Sequence, residues 1–150
     1  MDEATWKSIE DRFEQWPKDR ASPIEASEFD SAMAAFELNI DPDYRRFVVL
    51  FGAGFVGPNP IYGLRTTKWM GAIGGKTTAP DITQWFRDKR WPGTEDWLIF
   101  SVDQGGNPVG FARDRTVWLS DQTDFKQIVQ IASGFEDYLL KWCLKVRKVE

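Results

Sequence analysis

The sequence contains no histidine, a single cysteine and no long hydrophobic run. Without histidine the chain cannot build a Ser-His-Asp or Cys-His catalytic group. It also lacks the commonest metal ligand and the usual acid–base group near neutral pH. The single cysteine, Cys143, excludes an internal disulfide. A chain without a disulfide fits the cytosol best. Its neighbours Trp142 and Leu144 on a predicted helix indicate a buried, unreactive thiol. Any catalysis would depend on carboxylate, Lys, Arg, Tyr or hydroxyl groups.

The hydrophobic segments are too short for a membrane protein. The longest nearly apolar stretch, residues 47–57, is interrupted by glycine and falls short of the roughly 20 residues of a membrane-spanning helix. The first residues are acidic and amphipathic, unlike a signal peptide. We therefore expect a cytoplasmic protein that, at 150 residues, forms one domain over residues 1–150.

Charge is unevenly distributed along the chain. Residues 1–40 carry ten acidic against four basic side chains, whereas the whole chain has a net charge of −4. An acidic N-terminal third argues against direct nucleic-acid binding, which needs a basic face. It is compatible with a basic protein partner, although a solvated acidic helix face explains it as well.

The best-defined element is a short helix between Ile40 and Gly54. Asp41 suits the N-cap position, and Pro42 suits the first helical turn. Apolar residues then recur at helical spacing and form one face: Tyr44, Phe47, Val48 and Phe51. Gly52 stands where a left-handed C-cap is expected. The sequence therefore predicts a core helix with both ends encoded locally.

Two amphipathic helices are predicted before this central helix. Apolar residues at helical spacing mark the first, which Pro17 should end: Trp6, Ile9, Phe13 and Trp16. The same spacing marks the second: Phe29, Ala32, Met33 and Phe36.

The middle of the chain is rich in glycine and proline and contains a segment similar to a phosphate-binding loop. Short strands are predicted at residues 61–64 and 67–70. The stretch GAIGGKTT, residues 71–78, does not match a phosphate loop, because Met70 stands where the first glycine belongs and no helix follows directly. We interpret it as a flexible surface loop. Asp81 is expected to cap the helix that contains Trp85.

The last third has the pattern of an antiparallel sheet followed by a helix. Strands are predicted at residues 97–102, 109–112, 116–119 and 125–131, with a hairpin turn at residues 103–107. Ser133 and Glu136 form a capping-box pattern. It would open a helix with an apolar face: Phe135, Tyr138, Leu139, Trp142 and Val146. Helices, then strands, then a helix predict an α+β domain.

The order of these pieces resembles the SUKH superfamily, which includes the yeast cell-wall assembly regulator and many bacterial toxin-immunity proteins. The resemblance covers roughly residues 24–145. It is carried by Pro42-Asp43-Tyr44 with Phe47, the glycines Gly52 and Gly54, the strand at Trp97–Phe100, the turn Gly106-Asn107 and the final SGFEDYLLKW. The chain departs from the family pattern at Ile40-Asp41, in the spaced glycines after the central helix and at the inserted Gly134. These changes retain the cap and turn chemistry.

The resemblance implies helices packed on a curved, mainly antiparallel sheet and a non-catalytic binding protein without cofactor or metal. Its partner would be a protein, typically a bacterial toxin domain, with no direct contact to nucleic acid or membrane. We place partner contacts on aromatic and charged side chains, with the loop at residues 71–78 beside them: Trp69, Trp91, Arg113, Arg115 and Trp118. Each of these side chains can equally have a structural role. Trp118 in particular alternates with Val117 and Leu119, and one of the two sets must face the core.

Two alternative functions follow from the sequence. One is a scaffold or regulatory protein of the kind found in yeast. The other is a hydrolase that uses paired carboxylates, Asp103 with Asp114 or Asp121, near strand ends. Acidic residues at turns usually bond to the local backbone, which weighs against the hydrolase.

Overall fold

The computed structural model describes residues 1–36 and 38–145. Within these residues the chain is α+β, with five α-helices and two antiparallel sheets, as predicted. The helices are α1 (Glu3–Gln15), α2 (Ala26–Met33), α3 (Pro42–Phe51), α4 (Ala79–Asp88) and α5 (Phe135–Tyr138), which continues as a π-helical turn, Leu139–Cys143. The strands are β1 (Gly54–Val56), β2 (Asn59–Ile61), β3 (Leu98–Val102), β4 (Pro108–Phe111), β5 (Val117–Asp121) and β6 (Gln127–Ala132).

Helix α3 lies at the centre of the core, and its prediction is confirmed. One carboxylate oxygen of Asp41 accepts a hydrogen bond from the backbone N–H of Asp43 at 2.8 Å. The side chains of Tyr44 and Phe47 are fully buried. Gly52 ends the helix with φ 77°, a conformation that favours glycine, and a Cβ at this position would overlap with the carbonyl oxygen of Ser22.

The larger sheet has the strand order β3-β4-β5-β6, and all its neighbours are antiparallel. An aromatic cluster joins one face of this sheet to α3 and α5. Phe100 of β3 stacks on Phe111 of β4 with ring centres 4.2 Å apart. Tyr44 lies 5.2 Å from Phe111, and Phe135 lies 5.9 Å from Phe100. We call this side of the sheet the core face and the opposite side the outer face.

The two ends of the larger sheet differ. Next to β3, the N–H of Tyr62 donates to the carbonyl of Phe100 at 2.7 Å, and the hydroxyl of Ser101 donates to the carbonyl of Pro60. The chain at the end of β2 therefore covers the β3 side. Strand β6 stands at the other end of the sheet order and is largely exposed.

Helix α4 begins one turn earlier than predicted. The expected cap, Asp81, lies inside the helix, and Thr78 is the N-cap because its hydroxyl accepts from the N–H of Asp81 at 3.4 Å. Proline fits the first turn of a helix, so Pro80 does not delay the start. The helix packs against β3, where the hydroxyl of Thr83 accepts from the N–H of Ile99 at 2.9 Å.

The strands predicted at residues 61–64 and 67–70 were wrong. The chain forms the short pair β1 and β2 instead. Residues 67–70 make a turn because the hydroxyl of Thr67 accepts from the N–H groups of Trp69 and Met70, at 3.3 and 3.2 Å. Local side-chain hydrogen bonds of this kind compete with strand pairing.

The capping box predicted at Ser133 was also wrong. Gly134 is the N-cap residue of α5 and provides no side chain. The second carboxylate oxygen of Asp41 accepts from the N–H of Phe135 at 3.1 Å, so one carboxylate caps two helices. The predicted inward positions of Phe135, Tyr138 and Leu139 are confirmed, and Trp142 is 44% exposed. Val146, also placed on this face, lies outside the described residues.

Candidate functional site

A groove lies on the outer face of the larger sheet. Trp118 of β5 is flanked there by its cross-strand partners Gly110 on β4 and Gln130 on β6. The segment after α4 crosses this face, and it is held by two hydrogen bonds to one residue. The hydroxyl of Ser120 donates to the carbonyl of Pro92, and the indole N–H of Trp91 donates to the carbonyl of Ser120 at 3.0 Å. This segment forms one wall and leaves the space beside Trp118 open.

We call this space the outer-sheet groove. Its volume is about 510 Å³, and it is lined by Gly93, Asp96, Trp97, Ala112, Arg113, Asp114, Trp118 and Ile128. Trp118 is half-buried, and its indole N–H donates to the hydroxyl of Thr116 at 2.8 Å. Ile128 of β6, which pairs with Ser120, is 44% exposed. The groove therefore presents apolar side chains to solvent.

Charged groups stand at the rim of the outer-sheet groove. The guanidinium of Arg113 contacts the carboxylate of Asp96 at 3.1 Å, and both side chains are largely exposed, so the pair contributes little to stability. Asp114 accepts hydrogen bonds from the hydroxyl and the N–H of Thr116, which lower the pKa of its carboxyl group. Two carboxylates and one guanidinium line the groove, which leaves it slightly acidic.

The structure brings some of the predicted contact residues together and separates others. Trp118 and Arg113 line the same groove. Trp91 supports its wall from inside, since its ring packs edge-on against Phe86 at 5.3 Å. Arg115 lies in the left-handed region at φ 69°, and its guanidinium donates to the side-chain oxygen of Asn39 at 2.6 Å. Arg115 therefore ties the β4–β5 turn to the segment before α3.

Trp69 and the loop at residues 71–78 lie apart from this groove. Trp69 is 58% exposed and lines two depressions that also contain Lys18. The loop forms a tight hairpin in which the N–H of Ile73 and the carbonyl of Lys76 are 2.9 Å apart. Gly74, at φ 57°, lies so close to Trp85 that a Cβ would overlap with the indole. The loop thus packs on α4.

Sequence reasoning missed several residues of these surfaces. Ile128 was predicted only as part of a strand. It lies two residues before Gln130, and this spacing could have placed both side chains on one face of the sheet. Trp16 was assigned to the buried face of the first helix, but it is 47% exposed. The helix ends at Gln15, and the backbone of Trp16, at φ −127° and ψ 76°, leaves helical geometry and turns the side chain outward.

The carboxylates considered for hydrolysis are engaged in local turns. Asp103 accepts from the N–H groups of Gly105 and Asn107, at 2.9 and 2.8 Å. Asp121 accepts from the N–H of Asp124 at 3.0 Å, which contributes most to the lowered pKa of its carboxyl group. These bonds are those of turn-forming residues. Over residues 1–36 and 38–145, no group of three or more Cys, Asp or Glu side chains is arranged to hold a metal ion.

Two further observations concern the thiol and the membrane. Cys143 is buried as predicted, and burial raises the pKa of its thiol to about 12. None of the described helices combines the length and the apolar character needed to cross a membrane.

Comparison with known families identifies the fold. The model of the SMI1 / KNR4 family (SUKH-1) matches residues 23–141, well over half of the chain. The chain belongs to the SMI1 / KNR4 family. A comparison with curated proteins gave no match. In this SUKH-1 chain the match includes α2 to α5, both sheets and the whole outer-sheet groove, whereas α1 and residues 16–22 precede it.

Proposed function

We propose that this SUKH-1 chain is a non-catalytic protein-binding domain that acts as an immunity protein in the bacterial cytoplasm and neutralises a toxin domain. The observation that carries the proposal is the outer-sheet groove, where Trp118 and Ile128 remain partly exposed between the last two strands and the segment after α4. Exposed apolar side chains rimmed by polar groups are typical of protein-interaction sites. Family membership supports the same class of function.

The groove is the centre of the proposed interface. A stable interface covers roughly 800 Å² on each partner, much more than a groove of this size offers, so contacts must extend beyond it. Binding energy concentrates in a few central aromatic and arginine side chains. Trp118 is the aromatic residue at the centre of this groove, and Arg113 is the arginine at its rim.

The charge of the groove favours a basic partner. Asp96 and Asp114 stand at its rim against one guanidinium, and residues 1–40 add a larger excess of acidic groups. Long-range attraction of this kind acts mainly on the rate of association. Association with the toxin should therefore slow as salt concentration rises, while dissociation changes less.

The test is co-expression with a candidate toxin gene taken from beside the gene for this chain. Wild type should protect the cells, and Trp118→Ala should lose protection with an unchanged melting temperature. Phe125→Ala, which removes a side chain that is 75% exposed and does not line the groove, is the matched control and should protect fully. Arg115→Ala should lower the melting temperature, because it removes the contact with Asn39.

One result would contradict the proposal, and another would move the test to a second residue. If the wild-type chain neither protects cells nor co-purifies with a product of a neighbouring gene, the immunity function should be abandoned. If Trp118→Ala unfolds the protein, Trp118 is a core residue, and Arg113→Ala then tests the groove, since its side chain is exposed.

A further inference from the structure

Two exposed tryptophans from distant parts of the chain meet at a second surface, away from the outer-sheet groove. Trp16, which follows α1, is 47% exposed, and Trp69, in the loop after β2, is 58% exposed. Both line a depression of about 360 Å³ together with Gln15, Pro17, Lys18 and Asp19. Tryptophan is among the residues most enriched at the energetic centres of protein interfaces.

Positive charge gathers beside the tryptophans, although the chain as a whole is acidic. A second depression of about 490 Å³ shares Trp69 and Lys18 with the first, and it is lined by Lys18, Arg20, Ala21, Ser22, Thr66, Thr67, Lys68 and Trp69. No carboxylate lines this part. In the described portion of the chain, none of the ion pairs involves Lys18, Arg20 or Lys68. We call the two depressions together the Trp16–Trp69 groove.

Both walls of the Trp16–Trp69 groove are anchored to the core. On one side, Met70 is buried next to Trp69, and the hydroxyl of Tyr62 donates to the carbonyl of Gly71 at 2.9 Å. On the other side, the N–H of Ala21 donates to the carbonyl of Ala53 at 2.9 Å. A surface held in place in this way loses little conformational entropy when a ligand binds.

The ammonium group of Lys68 and the indole ring of Trp69 together indicate which ligand can bind. The ammonium group of Lys68 lies 5.3 Å from the centre of the Trp69 ring. A carboxylate bound to this ammonium would bring a neighbouring apolar side chain onto the indole. The hydroxyl of Ser22 can donate to a further carboxylate oxygen.

We propose that the Trp16–Trp69 groove binds an acidic segment of a protein partner, with carboxylates at Lys18, Arg20 and Lys68 and an apolar side chain between the two tryptophans. The positive depression is short, and the carboxylate of Asp19 lines the adjoining depression. This short positive stretch suits a short acidic segment better than a continuous polyanion such as nucleic acid. Trp16, Lys18 and Arg20 precede the family match, so this wall is not part of the matched family pattern.

The test uses a short fluorescent peptide in which glutamates flank a Leu-Phe pair, titrated with the full chain at low salt and followed by anisotropy. Trp69→Ala should weaken binding about 10-fold or more, as expected for a central interface tryptophan. Lys68→Gln should weaken binding and make it less sensitive to salt. Phe125→Ala and Lys76→Gln are matched controls, because they remove an exposed ring and an exposed lysine outside the groove. Both should leave the affinity unchanged.

Control ligands separate the possible outcomes. A peptide with glutamines in place of glutamates, and one with serines in place of Leu-Phe, should each bind more weakly than the parent peptide. The proposal is overturned if the parent peptide does not bind, if Trp69→Ala and Phe125→Ala have equal effects, or if a labelled oligothymidylate binds as tightly as the peptide. Melting temperatures of all variants confirm that each is folded. This result is independent of the toxin, because it requires only the purified chain.

Discussion

Replacing Asp41 by alanine should remove the cap from two helices at once. Its side chain is 7% exposed, and its two oxygens accept from the N–H of Asp43 in α3 and the N–H of Phe135 in α5. The two N–H groups lie far apart in the sequence, in the central helix and in the last one. Asp41 therefore joins the central helix to the last one.

The expected loss follows from these two bonds. Removing an N-cap side chain costs about 1 kcal/mol, within a range of roughly 0.5 to 2. Leaving the buried N–H of Phe135 without a partner costs about 1–3 kcal/mol more. Asp41→Ala should thus lower the free energy of unfolding by about 2–4 kcal/mol. Asp41→Asn should lower the free energy of unfolding by less, because the amide oxygen of asparagine still accepts one hydrogen bond.

The assay is urea unfolding followed by circular dichroism, with Asp2→Ala as the matched control. Asp2 caps α1 by accepting from the N–H of Ala4 at 3.2 Å, in an exposed position, so its loss should cost only about 0.5–1 kcal/mol. If Asp41→Ala costs no more than Asp2→Ala, the shared cap does not stabilise the fold and the reasoning fails.

Three further predictions concern the core, the glycine-rich loop and alkaline pH. Phe47→Ala should cost about 3–5 kcal/mol in urea melts, since the ring is fully buried; a loss below about 1 kcal/mol would contradict its core position. Lys76→Ala should change stability by less than about 0.5 kcal/mol, and calorimetric titration with ATP or GTP should give no heat of binding. Burial raises the pKa of Cys143 from 9.0 to about 12 and raises the pKa values of Tyr44 and Tyr138 above 10.0. The unfolded chain therefore releases these protons at lower pH, so the contribution of these three groups to stability should be constant below about pH 9 and fall as pH rises further. Urea midpoints measured across this range check the prediction, and Cys143→Ala should remove the part of the fall that begins near pH 9.

Helix α3 was predicted correctly because everything that defines it is local. Its cap, its first-turn proline, its apolar face and its terminal glycine lie within one short segment, Asp41 to Gly52. The buried strand β3 was also predicted, since it is apolar throughout. An all-apolar pattern favours a central strand, and this expectation was wrong: β3 stands at the end of the strand order, where residues near β2 cover it.

The errors concern features that depend on distant residues. The cap of α5 is provided by Asp41, far away in the sequence, whereas the local pattern pointed to Ser133. Trp16 was expected to be buried because helical periodicity was extended one residue past the end of α1. Patterns of side-chain spacing describe regular elements and fail where the backbone leaves them.

The candidate surfaces also combine residues that the local sequence indicates with features that depend on distant residues. Trp118 and Arg113 could be proposed from sequence as an aromatic and a charged side chain available for partner contacts. The groove between them and Ile128 depends on how the segment after α4 crosses the sheet, which no local pattern encodes. Likewise, the acidic composition of residues 1–40 concealed the positive surface formed by Lys18, Arg20 and Lys68, because charge totals along a chain do not describe its surface.

The aromatic cluster on the core face of the sheet can form only late in translation. Its rings come from α3, β3, β4 and α5, so Tyr44 contacts Phe135 only after nearly the whole described chain exists. In a chain emerging from the ribosome, α1, α2 and α3 can pack on one another, but the face of α3 that meets Phe135 stays uncovered until that residue has left the exit tunnel. Contacts between residues so far apart in sequence also slow folding. During this interval the nascent helices expose apolar surface of the kind that chaperones bind, and the aromatic cluster is complete only after the segment that contains Phe135 has been translated.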